Sequence, residues 1–316
     1  MLARVAENLC WLSRYLERAE NTVRLISVHG NMLMDLPQID EQQGWSPLIS
    51  INGLDEDFLK LHNMATEQTV NHFLLADKEN AGSLLNVFNA IQANLRSCRD
   101  IIPKLSYEAI NSLCRLVIRQ VDAKCQQPAH RLAFLRDIEE SLLAVSGGIE
   151  NNMSHDIGYL IMRIGCFMER ADMTSRIIDV QSTQLVNQGS ELSTISTQRW
   201  VYVLRTLASH QMYRQHVRRP VNGPDTLTYL LTDPHLPRSY TFCLNHLDDC
   251  LSELDYNSGP RSLVAKLRQE LKKANIIELA GDPLQLHEFL DSLQLGMLAI
   301  SSVVSTTYFP PENESE

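Results

Sequence analysis

Apolar residues recur at alternating intervals of four and three positions in the first part of the chain. They are Val5, Leu9, Leu12, Leu16, Ala19, Val23 and Ile26. Because an α-helix turns through about 100° per residue, this spacing places all of them on one face and predicts one long amphipathic helix. We expect that helix to end in the region of Gly30 and Pro37, since both residue types are common at helix ends.

A later stretch of the chain repeats this pattern. Its apolar positions superpose on the first set when the numbering is shifted by 152 residues. They are Ile157, Ile161, Ile164, Met168, Ala171, Ser175 and Ile178. The similarity extends beyond these apolar positions. Segment 15–24, with its polar residues, aligns with 167–176, and at a slightly larger shift Trp45 aligns with Trp200. The pattern therefore predicts an internal duplication.

The duplication also suggests how the chain is organised. Repeat one covers about 1–145 and repeat two about 150–310, and the Ser-Gly-Gly sequence at 146–148 is the predicted break between them. Amphipathic helices from both halves can share one core, so we predict a single domain over 1–316. No segment alternates with the period of two that is typical of a strand. The predicted fold class is all-α, a helical bundle of two pseudo-symmetric repeats with essentially no strand.

The charge and cysteine content narrow the class of protein. Acidic residues outnumber basic ones by 38 to 28, which gives a formal net charge of −10. General nucleic-acid binding needs a positive field that displaces counterions, so we expect no nucleic-acid partner. The seven cysteines include no Cys-x-x-Cys pair, which argues against a disulfide framework or a zinc site and is typical of a reducing cytosol.

The sequence gives no indication of membrane insertion. Its first residues, Met-Leu-Ala-Arg-Val-Ala-Glu, include charges where a signal peptide needs an apolar run. The longest nearly apolar stretch, 295–304, is shorter than the roughly 20 residues that a spanning helix requires. We therefore expect a soluble cytoplasmic protein without a membrane partner.

Three charged residues border the apolar face of the first predicted helix. With Leu16 at 0° on the helical wheel, Glu20 lies near 40°, Arg24 near 80° and Glu17 near 100°. Residues three or four positions apart are neighbours on a helix surface, so Glu20 can interact with both others. The second repeat reproduces this arrangement, and its equivalent residues are Glu169, Asp172 and Arg176.

Two interpretations of these charges are open. In the first, they form structural ion pairs that fix the register of the two long helices. In the second, side chains from both repeats converge on a ligand and act as acid, base or anion clamp. Arg238 is a further candidate, because it precedes a predicted helix N-terminus, where anions are favoured. The candidate ligand-binding residues are Glu17, Glu20, Arg24, Glu169, Asp172, Arg176 and Arg238.

The sequence carries no self-contained catalytic motif. It lacks Glu-x-x-His, the glycine motifs that bind nucleotides, and Gly-x-Ser-x-Gly. We therefore predict no metal and no cofactor. A lesser alternative is a hard cation such as Mg²⁺ held by Glu17 and Glu20 or by Glu169 and Asp172, since oxygen ligands suit that ion.

Two segments carry a resemblance to a known family. The segment 8–24 reads Asn-x-x-Trp-Leu-x-Arg-Tyr-Leu-Glu-Arg-Ala-Glu-Asn-Thr-x-Arg, and 168–176 reads Met-Glu-Arg-Ala-Asp-Met-Thr-x-Arg. Both resemble the bacterial alpha-E family, a predicted all-helical domain named for its Glu-Arg motif. Cys166 departs from the family pattern, in which arginine is usual, and His155 likewise stands where arginine is expected.

The resemblance implies a setting for the protein without an established activity. Genes of the family tend to lie beside a circularly permuted ATP-grasp protein and often a transglutaminase-like peptidase. ATP-grasp enzymes activate carboxylates as acyl phosphates and couple them to amines. The resemblance thus implies a helical partner protein of an amide-ligase system, which binds the ligase or positions a peptide or amine substrate. The alternative is an enzyme of the same pathway that uses the duplicated Glu/Asp–Arg pairs in a helix-lined pocket, so whether the chain is an enzyme stays open.

Overall fold

A computed structural model describes residues 2–35, 40–187, 193–254 and 258–310. These residues form fifteen helices and their connecting loops, and no strand occurs among them. The predicted all-α fold class is therefore confirmed. The pseudo-symmetric duplication stays a prediction of the sequence.

The chain divides into two compact units, 1–166 and 167–316, and the boundary falls within the eighth helix. The helices of unit 1 are α1 (Ala3–Asp35), α2 (Glu41–Ile51), α3 (Asp55–Leu61), α4 (Glu67–Leu75), α5 (Leu84–Ser97), α6 (Lys104–Cys125) and α7 (Pro128–Asn152). Helix α8 (Ile157–Asn187) begins in this unit.

The rest of α8 belongs to unit 2, together with seven further helices. They are α9 (Ser193–Thr206), α10 (His210–His216), α11 (Gly223–Thr232), α12 (Tyr240–Glu253), α13 (Ser258–Lys273), α14 (Ile276–Leu279) and α15 (Pro283–Tyr308). In this unit α13 packs against α12 and α15. The buried Tyr240 hydroxyl donates to the Leu293 carbonyl oxygen at 2.8 Å, which links α12 to α15.

Helix α1 is the central element of unit 1, with α5, α7 and α2 packed around it. Most of the predicted apolar face is buried, and only Val5 and Leu16 are half-buried. All residues from 19 to 26 are buried, so neighbouring helices cover the opposite face as well. This burial brings the polar side chains of α1 into the interior. The helix continues past Gly30 to Asp35, while Pro37 lies outside the described residues.

The predicted break at 146–148 is wrong. These residues lie inside α7, which continues to Asn152, and the chain leaves helical structure only before α8 begins. A glycine in a helix costs only about 1 kcal/mol, which tertiary packing readily offsets. Here Val145 and Ile149 are buried on one face of α7, and a Cβ at Gly148 would lie 3.2 Å from the Ser106 hydroxyl oxygen.

A glycine lets the start of α8 approach α1 closely. A Cβ at Gly165 would lie 2.5 Å from the carbonyl oxygen of Cys10 and 2.3 Å from the hydroxyl oxygen of Ser13. No side chain fits there without a backbone shift, because real Cβ contacts are longer than either distance. The absence of a side chain at this position therefore allows the contact that places Cys166 beside Glu17.

Helix α15 bears on the expectation that the chain has no membrane-spanning helix. Among the described residues it is the one helix that is long and apolar enough to cross a membrane, judged by length and composition alone. Core helices of soluble proteins can share these properties, and α15 buries Leu290, Leu293 and Ile300 in unit 2. Cytoplasmic location without a membrane partner stays a prediction.

A buried histidine joins α1 to α2. The His29 ring is fully buried, and its Nε2 donates to the Gly44 carbonyl oxygen at 2.7 Å. The ring also packs against Trp45, with 5.4 Å between the ring centroids. Burial penalises the charged imidazolium and lowers the pKa of His29 from 6.5 to about 4, although the bond to Gly44 partly opposes this.

The low pKa of His29 predicts an acid-sensitive fold. The unfolded chain takes up a proton at His29 near pH 6.5, whereas the folded chain does so only near pH 4. Stability therefore falls as the pH falls through this window, by up to about 3 kcal/mol in total. We expect His29→Gln, which keeps an N–H donor, to flatten the pH dependence measured by urea unfolding.

The exposed His130→Gln variant serves as the control for this experiment, because it removes an exposed imidazole without touching the buried ring. If His29→Gln keeps the parental slope between pH 6.5 and pH 4, the proposed coupling between protonation and folding is wrong.

Candidate functional site

The first predicted charge cluster is an internal ion-pair group of unit 1. Glu17, Glu20 and Arg24 on α1 are only 4%, 7% and 5% exposed, respectively. The Arg24 guanidinium donates through Nη2 to the Glu20 carboxylate and through Nε to Oε1 of Glu139 on α7, the latter at 2.9 Å. This group links the two helices from positions that are 115 residues apart in the chain.

Two opposing effects set the ionisation of Arg24. Burial alone would lower its pKa, because the guanidinium has lost water. The charges and hydrogen bonds of Glu20 and then Glu139 outweigh that loss and raise the pKa. Arg24 is therefore a buried cation that its two carboxylate partners keep charged, and it joins α1 to α7. The predicted ion pairs that fix the register of the two long helices of the repeats stay a prediction.

Beside this group, a pocket of about 60 Å³ opens between α1, α7 and the first turns of α8. Its apolar lining residues are Leu16, Leu142, Val145, Ile149 and Met162. Its polar lining residues are Ser13, Glu17, Glu20, Ser146, Glu150, Arg163 and Cys166. A space of this size exceeds the roughly 15 Å³ that one water needs, so it can accept the end of a side chain or of a small molecule. We call it the acidic pocket.

The carboxylates of the acidic pocket are held in defined positions. Glu17 accepts a hydrogen bond from the Cys166 thiol at 3.3 Å, and Glu20 is held by Arg24. Glu150 accepts a hydrogen bond from the Tyr159 hydroxyl at 2.7 Å and lies 3.6 Å from the Arg163 guanidinium. The lining itself contains three carboxylates and one guanidinium, and Arg24 compensates the Glu20 carboxylate from outside the lining.

The candidate residues of the second repeat lie in unit 2. Glu169 and Arg238 are buried, whereas Asp172 and Arg176 are half-buried. The Arg176 Nε donates to Oδ2 of Asp172 at 2.7 Å, which repeats the local pairing of Glu20 with Arg24.

Backbone and side-chain hydrogen bonds surround Arg238, and the structure also bears on the alternative of a bound magnesium ion. The carbonyl oxygen of Arg238 accepts from the Thr174 hydroxyl at 3.0 Å, and Ser239 caps α12 through the Phe242 N–H. Among the described residues, no three His, Cys, Asp or Glu side chains are arranged to hold a metal ion, so magnesium binding by Glu17 and Glu20 gains no support. A ligand site shared by both repeats stays a prediction.

Sequence reasoning predicted only Glu17 and Glu20 among the residues that line the acidic pocket. Glu150 and Arg163 of the lining were not among the candidates, and neither was the apolar wall from α7. Glu139, the second partner of Arg24, was missed as well. A signal was present for that wall, because Leu142, Val145 and Ile149 follow the spacing of one helical face. The fact that this face of α7 packs against α1, by contrast, depends on tertiary packing, which no local sequence pattern encodes.

The chain belongs to the alpha-E family. The family model, described as a predicted alpha-helical domain with a conserved ER motif, matches residues 1–309. Its relatives include uncharacterised proteins of Mycobacterium bovis and Mycobacterium tuberculosis, each 23% identical over 329 residues. These alignments cover 96% of this chain and 36% of each relative, so the chain spans about a third of the length of these relatives. No solved structure matches the chain.

The pairs Glu20–Arg24 and Asp172–Arg176 provide a matched test of the buried ion pair. Arg24→Met leaves the Glu20 carboxylate buried without its cation, and we expect a loss of about 3–5 kcal/mol in the free energy of unfolding. Arg176→Met removes the equivalent pair where the two side chains are 35% and 27% exposed, so we expect a loss below about 1 kcal/mol. Urea unfolding followed by circular dichroism measures both changes.

Adding Glu20→Gln to Arg24→Met removes one buried negative charge and should restore part of the lost stability. Equal losses for the two single arginine variants would show that Arg24 is not the buried structural cation described above.

Proposed function

We propose that this alpha-E chain is the helical partner of a circularly permuted ATP-grasp amide ligase and that its acidic pocket binds the amine-bearing substrate of that ligase. The observation that carries the proposal is the combination of carboxylates and apolar walls in one small pocket of unit 1. A transglutaminase-like protein is a further possible member of the same system.

The pocket chemistry matches a primary amine on an apolar stem. An ammonium group that leaves water needs an opposite charge nearby, and Glu17 supplies one from the pocket wall. Leu142, Val145 and Met162 offer apolar contact to a methylene stem. A carboxylate ligand would add a fourth negative charge beside Glu17, Glu20 and Glu150, so the pocket disfavours anions.

Cys166 adds to this selectivity. It lines the pocket and contacts Glu17, at the position where the family resemblance leads us to expect arginine. The thiol adds no positive charge to the pocket lining, whereas an arginine at this position would add one. This substitution therefore favours a cationic ligand in this chain.

The geometry gives less support to the enzymatic alternative. That alternative uses the arginines as an anion clamp, but Arg24 is not among the residues that line the acidic pocket. Its Nε and Nη2 donors already bind Glu139 and Glu20. A binding role needs only that the carboxylates face the pocket, and Glu17 and Glu20 both do.

The proposal links the pocket to the ligase chemistry that the resemblance implies. An ATP-grasp enzyme forms an acyl phosphate, and an amine must then reach that reactive carbonyl before water does. A partner that binds the amine raises its effective concentration at the ligase. We therefore expect the chain to present an amine or a peptide with a free amino group.

Ligand-observed NMR with the full chain tests the pocket directly. We expect n-pentylamine to bind, and pentanoate and pentanol, which have the same stem, to bind at least tenfold more weakly. Glu17→Gln removes one carboxylate charge from the pocket with little change of shape and should weaken pentylamine binding about tenfold, which corresponds to 1.4 kcal/mol. The matched control is Glu140→Gln, an exposed position of α7 outside the pocket.

A second variant covers the case in which Glu17→Gln fails to fold. Ser146 is exposed and lines the pocket, so Ser146→Leu fills part of the space without touching a carboxylate. It should also reduce pentylamine binding. The proposal is contradicted if pentanoate binds as tightly as pentylamine. It is also contradicted if the Glu17→Gln variant folds and keeps its full affinity for pentylamine.

A further inference from the structure

Unit 1 contains a second and larger pocket, of about 270 Å³, between α1, α2, α4 and α7. It shares no lining residue with the acidic pocket. Its apolar lining residues are Ile26, Gly30, Leu33, Trp45, Pro128 and Leu132. Three polar residues complete the lining, namely Glu67, Asn71 and Arg131. We call it the amide pocket, for the reason given below.

Asn71 gives the amide pocket an unused hydrogen-bond acceptor. The side chain is 1% exposed, and its Nδ2 donates to the Glu67 carbonyl oxygen at 2.7 Å. That bond fixes the orientation of the amide, because a carbonyl oxygen accepts only from the NH₂ side. Oδ1 of Asn71 then has no hydrogen-bond partner among the residues that the structure describes. A buried acceptor of this kind calls for a donor from a ligand or a water.

Arg131 gives the same pocket a source of donors. Its side chain is buried, and it donates through Nη1 to the Cys125 carbonyl oxygen at 3.1 Å and through Nη2 to the Glu67 carboxylate. A guanidinium carries five N–H donors, so donors remain beyond these two bonds. The Glu67 carboxylate compensates the charge of Arg131, which leaves the polar side of the pocket close to neutral.

Trp45 forms the flat apolar wall of the amide pocket. The side chain is 6% exposed, and contact with the buried His29 ring holds it in place. Ile26, Leu33 and Leu132 also contribute apolar surface. A planar apolar body can pack against such a wall, since aromatic surfaces favour offset contact with other planar groups.

We propose that this second pocket binds a neutral ligand in which a carboxamide is attached to a planar apolar body. The carboxamide N–H donates to Oδ1 of Asn71, its carbonyl oxygen accepts from Arg131, and its apolar body packs on Trp45. Glu67 bonds both Asn71 and Arg131, so donor and acceptor belong to one polar wall of the pocket. This inference is independent of the proposed function, because it uses different residues and a different ligand class.

The three other simple ligand classes fit this wall less well. A carboxylate cannot donate to Asn71 and adds negative charge beside Glu67. An ammonium group can donate to Asn71 but cannot accept from Arg131 and meets its positive charge. A purely apolar ligand leaves the buried Asn71 oxygen without a donor.

Four probes of similar shape test this inference with the full chain. We expect benzamide to bind in ligand-observed NMR, and toluene, benzoate and benzylamine each to bind at least tenfold more weakly. Asn71→Leu replaces the amide by an apolar group of similar size and should abolish the preference for benzamide over toluene.

The matched control is Asn94→Leu. Asn94 on α5 makes the same local bond, from its Nδ2 to the Ala90 carbonyl oxygen at 2.9 Å, but lines neither pocket. It should leave benzamide binding unchanged. If Asn71→Leu does not fold, Leu132→Phe fills part of the pocket from a half-buried position and should weaken benzamide instead.

The possible results separate this site from the acidic pocket. If Asn71→Leu or Leu132→Phe weakens benzamide binding and leaves pentylamine binding unchanged, the result supports the amide pocket. This conclusion holds whether or not the proposed function is correct. Benzamide binding no tighter than toluene would mean that water satisfies Asn71 and would overturn the inference. An Asn71→Leu variant that folds and still prefers benzamide to toluene would overturn the inference as well.

Discussion

The burial of charge on α1 is the constraint on which the rest of unit 1 depends. Arg24 lies between Glu20 and Glu139, and the buried charges of Arg24 and Glu20 are not stable in the interior without a partner of opposite charge. The group therefore fixes how α7 lies against α1 along their length. In this arrangement the apolar face of α7 and Glu17 line one pocket, the acidic pocket.

One helix serves two pockets of different chemistry. The residues of α1 that line the acidic pocket precede Arg24, and those that line the amide pocket follow it. The acidic pocket has three carboxylates and one guanidinium, whereas the amide pocket has one charge of each sign. The two therefore differ in charge more than in apolar lining, which is why a cationic ligand suits one and a neutral ligand the other. Their separation along α1 also lets variants address each pocket alone.

The sequence alone predicted the features that depend on local spacing. The all-α class, the long first helix and the pairing of Glu20 with Arg24 follow from residues three or four positions apart, and all were found. Glu139 and Arg131 were not predicted, because their partners are 115 and 64 residues away in the chain. The glycines at 147 and 148 misled the prediction for a related reason, since packing of α7 outweighs their weak helix propensity.

Native mass spectrometry of the chain, tagged and gently purified from its own cells, tests the central claim most directly. Our account predicts a complex of fixed stoichiometry with an ATP-grasp protein, and a ligase whose use of amine substrates falls when this chain is omitted or carries Glu17→Gln. A chain recovered without such a protein, or a ligase with full activity and unchanged substrate choice in its absence, would contradict the account.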